Sequence, residues 1–124
     1  MAVTTAAHRL GRRGEQFVAD QLAVRGWEIL ARNWRCPEGE LDIVARDPDG
    51  VLVVVEVKCR SGLGYGSPLE AITRRKVAKL RGLAVRWLRE HSEPGADLRI
   101  DAVGVVMPRR GSLSWTHVQG IEQW

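Results

Sequence analysis

The chain of 124 residues carries 19 Lys+Arg against 15 Asp+Glu, a formal net charge of +4, with 44% hydrophobic and 27% charged residues. That length suits one domain, and that balance excludes a mainly disordered chain. The longest stretch without Lys, Arg, Asp or Glu, residues 111–121, falls far short of the ~20 apolar residues of a membrane helix. The first seven residues show no basic segment leading into an apolar run, so no secretory leader is expected. Cys36 and Cys59 make neither a disulfide framework nor a CxxC half-site, which points to a reduced, cytoplasmic setting.

The charge is unevenly spread. Residues 1–36 hold six basic and three acidic groups, and residues 37–57 hold one basic group (Arg46) and six acids. Residues 58–91 hold nine basic and two acidic groups. A compact acidic block therefore lies between two basic ones.

In chain order, Ala6 to about Arg25 reads as a helix, because Leu10, Phe17, Val18 and Leu22 form one apolar stripe at helical spacing. Gly26 suits its C-terminus. Gly11 and Gly14 weaken it, so they require a packing or backbone-approach reason. Trp27 to Asn33 reads as a first strand, before a Cys36-Pro37-Glu38-Gly39 turn. Glu40 to Arg46 alternates, with Leu41, Ile43 and Ala45 on one face and Glu40, Asp42 and Val44 on the other. Val51 to Lys58 reads as a buried strand. Asp47-Pro48-Asp49-Gly50 joins these two as a three-residue hairpin loop with a bulge. Asp47 then pairs with Val51, which puts Asp42 opposite Glu56 and Glu40 opposite Lys58. After a Gly-rich loop from Ser61 to Ser67, Pro68 opens a long basic helix to about Glu90. Leu98 to Met107 reads as a further strand and Ser112 to Val118 as a possible edge strand. The order α-β-β-β-α-β describes an α/β domain, a mixed sheet covered by helices.

The chemistry-bearing pattern is Glu40-Leu41-Asp42 followed, about a dozen residues on, by Glu56-Val57-Lys58. Two acids on paired strands repel unless a cation lies between them. Hard divalent cations such as Mg²⁺ accept one or two carboxylates and keep waters. Lys58 shares a strand face with Glu56, where its ammonium can stabilise charge developing on a phosphate. An isolated E-x-K is more often a surface salt bridge, but here Val51-Leu52-Val53-Val54-Val55 leads into it as a buried strand would.

These residues lie within an ordered set: Gly11-Arg12-Arg13-Gly14-Glu15, residues 26–35, Gly39-Glu40-Leu41-Asp42-Ile43-Val44-Ala45, and Val55-Glu56-Val57-Lys58-Cys59-Arg60. The set resembles the bacterial YraN-like family over nearly the whole chain, including residues 72–76 and 99–103. That family is similar to the PD-(D/E)xK nuclease superfamily and to archaeal Holliday junction resolvases. The resemblance implies a single restriction-endonuclease-like domain over residues 1–124. It implies Asp42, Glu56 and the Val57 carbonyl as metal ligands for Mg²⁺ or Mn²⁺, and Lys58 as the catalytic lysine. Glu15 matches an acid that orients a metal-bound water or a second metal, and Lys76 matches a Lys or Gln near the site. Leu41-Asp42 stands where the superfamily name has Pro-Asp, leaving the aspartate in place. Glu40 is either a further ligand or an exposed neighbour of Lys58.

Arg60, Arg74, Arg75, Lys76 and Lys79 are candidates for nucleic-acid phosphate contacts. Asp101, in an apolar strand, is suited to support the sheet or a basic partner. Gly64-Tyr65-Gly66 is a possible lip over substrate. Trp27 and Trp87 fall at core-like positions, Trp115 and Trp124 at an edge or dimer interface, and the three histidines lack metal-ligand spacing. The function expected is a metal-dependent endonuclease acting on DNA, with branched or structured DNA suggested by the resolvase kinship. The alternative is a nucleic-acid-binding module with the same fold and little cleavage, accessory to DNA repair, recombination or uptake. Resolvase kinship and the apolar C-terminal segment also suggest a homodimer.

Overall fold

The computed structural model describes residues 5–62, 67–91 and 97–123. Helix α1 (Ala6–Val24) is followed by strands β1 (Glu28–Cys36), β2 (Gly39–Arg46) and β3 (Leu52–Arg60), a 3₁₀ turn (Pro68–Ala71), helix α2 (Arg74–Glu90), and strands β4 (Leu98–Val106) and β5 (Ser114–Val118). The strands form one sheet in the order β1-β2-β3-β4-β5. All neighbours run antiparallel except β3 and β4, which are parallel because α2 is their crossover. This is the α/β arrangement expected, with a mixed sheet flanked by two helices as in a restriction-endonuclease-like core.

Two apolar clusters hold the layers together. Val18, Ala19 and Leu22 of α1 pack with Trp27, Ile43, Ala45, Val53, Val55, Val57, Val103 and Val105 on one sheet face. Leu80, Leu83, Ala84 and Trp87 of α2 pack with Leu41, Val44, Leu52, Val54, Ile100 and Ala102 on the other. β3 is thus covered on both sides, which is why its sequence is continuously apolar. Among the described residues no helix is long and apolar enough to cross a membrane.

The hairpin register is the one the turn demands. The Gly50 N–H donates to the Asp47 carbonyl and the Asp47 N–H to the Val51 carbonyl, each at 2.9 Å. Ile43 then pairs with Val55, Val44 with Val54 and Arg46 with Leu52. Gly50 supplies the left-handed conformation at φ +86°.

Three expectations change. β1 does not stop at Asn33 but runs to Cys36. Asn33 takes φ +51°, a conformation that asparagine tolerates better than most residues, and the strand continues past it. Leu41 does not share a face with Ile43: it packs under α2 with Val44, whereas Ile43 and Ala45 lie under α1. The alternation breaks at Asp42, where β2 and β3 part. The helix at Pro68 is also interrupted. Ser67 and Pro68 open only a 3₁₀ turn, Ile72 and Thr73 are extended, and the Thr73 hydroxyl caps a new helix by accepting from the Lys76 N–H at 3.1 Å. The 3₁₀ turn docks on Gly104 of β4, where a Cβ would lie 3.1 Å from Leu69 Cγ. The proposed lip at Gly64-Tyr65-Gly66, and Trp124, lie outside the described residues.

Candidate functional site

The parting of β2 and β3 creates the site. Odd-numbered residues exchange the ladder hydrogen bonds of this hairpin, so the Val57 N–H would next meet the Leu41 carbonyl. It donates instead to Asp42 Oδ2 at 2.9 Å. The carboxylate of Asp42 thereby closes the ladder, and the strands fork around it. Across the fork stands Glu56, whose Oε1 lies 3.4 Å from Lys58 Nζ and 3.8 Å from Lys76 Nζ. The first contact follows from the two-residue strand period. The second comes from α2, whose Thr73 cap places Lys76 in the first turn.

Both acids are nearly out of solvent, Asp42 at 8% exposure and Glu56 at 4%. Burial, then the negative charge of Glu56, push the Asp42 carboxyl up to about 7, against the Val57 N–H and with smaller contributions from Glu15 and Glu40. Glu15 reaches the same place from α1. Its carboxyl is raised by burial and by Glu40, while the Asn33 side chain, Arg32 and Asp42 pull the other way. The α1 contact requires Gly14: a Cβ there would sit 1.9 Å from Cys59 Sγ, one residue beyond Lys58. That close approach is the packing reason Gly14 required. Nothing lies near a Cβ at Gly11, whose carbonyl is 4.0 Å from Cys59 Sγ. Burial and the nearby Glu15 and Asp42 charges push the Cys59 thiol up to about 11, so it is an uncharged packing group.

Asp42, Glu56, Lys58, Glu15 and Lys76 therefore converge. Glu40 does not join Lys58. It pairs with Arg35, its neighbour across β1 and β2, at 3.0 Å and in an exposed position. The ladder that would have carried Glu40 opposite Lys58 ends at Ile43 and Val55. Arg60 ends β3 two residues beyond Lys58. Arg75 is exposed on α2, Lys79 leans over Gly39, and Arg74 lines a separate pocket of about 380 Å³ with Ile72, Val77, Ile121 and Glu122. Of the five basic candidates only Lys76 touches an acid of the site.

Asp42, Glu56 and the Val57 carbonyl, the set the family resemblance implies, are hard oxygen donors of the kind Mg²⁺ accepts alongside waters. Among the described residues no group of three His, Cys, Asp or Glu side chains is placed to hold a metal by itself. A cation here would thus draw on backbone and water as well.

A second acidic centre lies at Asp101. Asp101 is fully buried and accepts from Arg99 Nε at 2.8 Å, from Arg99 Nη2 at 3.1 Å and from the Gly120 N–H at 3.0 Å, with His117 Nε2 at 2.8 Å. Arg99 also reaches Asp47 at 2.9 Å. Asp101 was expected to support the sheet or a basic partner, and it does both; His117, given no role for want of metal-ligand spacing, reaches it from β5, 16 residues on in the chain.

The sequence profile described as "Uncharacterised protein family UPF0102" matches residues 14–105. The chain belongs to the UPF0102 family. A UPF0102 protein of Nocardioides sp. is 54% identical over 112 residues, covering 90% of both chains. Another, of Parafrankia sp., is 53% identical over 114 residues, covering 92% of this chain and 96% of its own. The matched span contains Glu15, Asp42, Glu56, Lys58 and Lys76, so the family resemblance and the converging side chains fall in one segment. Among solved structures, "Structure of EndoMS-dsDNA2 complex" superposes with a TM-score of 0.40 at 20% identity, over 89% of this chain and 49% of that one. That likeness is too loose to bear on chemistry.

Proposed function

We propose that this UPF0102 protein binds DNA and hydrolyses its phosphodiester bonds with Mg²⁺ or Mn²⁺. The observation that carries this reading is the fork itself: Asp42 and Glu56, both buried, face each other with Lys58 and Lys76 on Glu56. Buried acids in such company are costly to a fold unless they serve a ligand. Asp42, Glu56 and the Val57 carbonyl are the groups that would hold the cation. Bound there, it would supply Lewis acidity toward a phosphate oxygen and toward an attacking water.

The remaining work belongs to side chains of this chain. Lys58 presents its ammonium to the negative charge that develops on the phosphate. Glu15, whose carboxyl burial raises above its ordinary value, would take a proton from water beside Asp42. Lys76 tethers Glu56 from α2 and keeps it aimed at the fork. Arg60 and Arg75 lie outside this centre and would meet neighbouring phosphates, offsetting the repulsion that the acidic block exerts on a polyanion.

A second reading, DNA binding with little cleavage, is favoured by the two ammonium groups already on Glu56, which balance its charge without a metal. A cleavage panel of single-stranded, duplex and four-way DNA in Mg²⁺ and in Mn²⁺ separates the two. Hydrolysis is expected on at least one substrate and is expected to vanish in Lys58→Ala and Asp42→Ala while both remain folded. A folded protein that cuts none of them overturns hydrolysis and leaves the binding reading.

A further inference from the structure

We propose that the cleft between α1 and β1 is a phosphate-backbone subsite, holding the DNA strand that leaves the acidic centre on the sheet face opposite α2. It rests on the nucleic-acid reading above, and extends the footprint beyond the helix where charge counting puts it. The cleft has a volume of about 730 Å³ and is lined by His8, Arg12, Gln16, Arg32, Asn33 and Arg35. Glu15 and Glu40 line it too, and both act electrostatically on Asp42. The cleft therefore opens beside the fork.

What distinguishes it is how its arginines are held. Arg12 Nε donates to His8 Nε2 at 3.0 Å, and Arg32 Nη1 donates to Gln16 Oε1 at 2.8 Å. Each guanidinium is oriented by a side-chain acceptor that is not a carboxylate, spends one donor on it, and keeps its remaining donors for an anion, although Arg32 also lies in the field of Glu15. Two other arginines among the described residues are used differently. Arg99 is matched by Asp47 and Asp101, and Arg86 by Glu38 and Glu90.

His8, Arg12 and Gln16 are spaced four apart and so form one stripe on α1, while Arg32 and Arg35 face it from β1. Arg12 on one side and Arg32 with Arg35 on the other, across an open polar cleft, suit successive phosphates of one strand, since the guanidinium fork matches phosphate oxygens bidentately. Arg35, held only by the exposed Glu40, is free to exchange that carboxylate for a phosphate at little cost.

The test is fluorescence anisotropy of a labelled single-stranded DNA oligonucleotide over a series of salt concentrations. It compares the wild type, Arg12→Gln/Arg32→Gln, and the α2 variant Arg75→Glu/Lys79→Glu. Arg12 and Arg32 are exposed, so the glutamine variant is expected to keep its thermal midpoint. It is expected to bind at least about tenfold more weakly, with the log–log salt slope reduced by about 1.4, twice the ~0.7 lost per phosphate contact on a single strand. A folded Arg12→Gln/Arg32→Gln protein with wild-type affinity and slope overturns the cleft alone, all the more if the α2 variant loses binding. A wild type that binds no DNA overturns the nucleic-acid reading and the cleft with it.

Discussion

Two sets of buried acids sit in this sheet, and they are treated in opposite ways. Around Asp101, every lone pair has a donor: Arg99 grips it with two nitrogens, His117 and the Gly120 N–H complete the set, and Arg99 carries the network on to Asp47. Those partners overcome burial and hold the Asp101 carboxyl below the ordinary carboxylate range. Around Asp42, one backbone N–H faces three other carboxyl groups, and burial with the Glu56 charge drives the carboxyl up to about 7. The first set joins β4, β5 and the β2–β3 turn. The second is paid for by the rest of the fold, which is the pattern expected where acids wait for a cation. Asp101 with all its partners in place is a structural acid; Asp42, with one donor and carboxylates around it, is the candidate for function.

The contrast predicts mutations of opposite sign. Arg99→Ala leaves Asp101 and Asp47 without their shared cation and is expected to destabilise the protein by about 3–5 kcal/mol in urea unfolding. The contribution of Asp101 and Asp47 is present above the ordinary carboxylate pKa and is lost as pH falls through their lowered values. An Arg99→Ala variant as stable as the wild type would remove the structural half of the comparison.

Asp42→Asn is expected to do the reverse, since the amide still accepts from the Val57 N–H and no longer adds charge beside Glu56. With the folded-state carboxyl near 7, the folded protein binds more protons than the unfolded one between about pH 4 and 7. The Asp42 contribution therefore declines as pH rises through that window. Above pH 7 the asparagine variant should be more stable by on the order of 2–4 kcal/mol, and its stability should lose that slope. A variant less stable at pH 8 would place Asp42 with Asp101 as a structural acid.

Gly14→Ala sharpens the comparison from the side of α1. Its new Cβ meets Cys59 Sγ, so a loss of about 1–3 kcal/mol is expected from overpacking, along with reduced cleavage as Glu15 is pushed from the fork. Wild-type stability would show that α1 has room to shift. The smallest effect belongs to Arg35→Ala: its pair with Glu40 is exposed and should contribute under about 1 kcal/mol to stability.

Much of this was legible in the residues, for local reasons. The Asp47-Pro48-Asp49-Gly50 turn determines the hairpin register from Arg46–Leu52 to Ile43–Val55, and the expected pairing of Asp42 with Glu56 lies just past where that ladder ends. The strand period then puts Lys58 beside Glu56. Where local rules conflict, legibility stops. Pro68 and Thr73 are both good helix starters five residues apart, and only the contact of Leu69 with Gly104 decides that the chain breaks between them. Asn33 was expected to end β1, yet the strand continues past its left-handed backbone to Cys36. Leu41 follows the alternation until the fork turns Asp42. The α1–β1 cleft was hidden for another reason: Arg12 and Arg32 are 20 residues apart, and only the packing of α1 beside β1 brings them together. The sole signal was that both fall within the segments resembling the YraN-like family.

The central claim is that the fork at Asp42 and Glu56 is a cation site rather than a structural acid pair. Thermal unfolding at pH 8 with and without millimolar Mg²⁺ or Mn²⁺ tests it most directly, in the wild type and in Asp42→Asn. The wild-type midpoint is expected to rise with the metal and the variant's to stay where it is. A wild type indifferent to both metals, or a variant stabilised as much as the wild type, would contradict it.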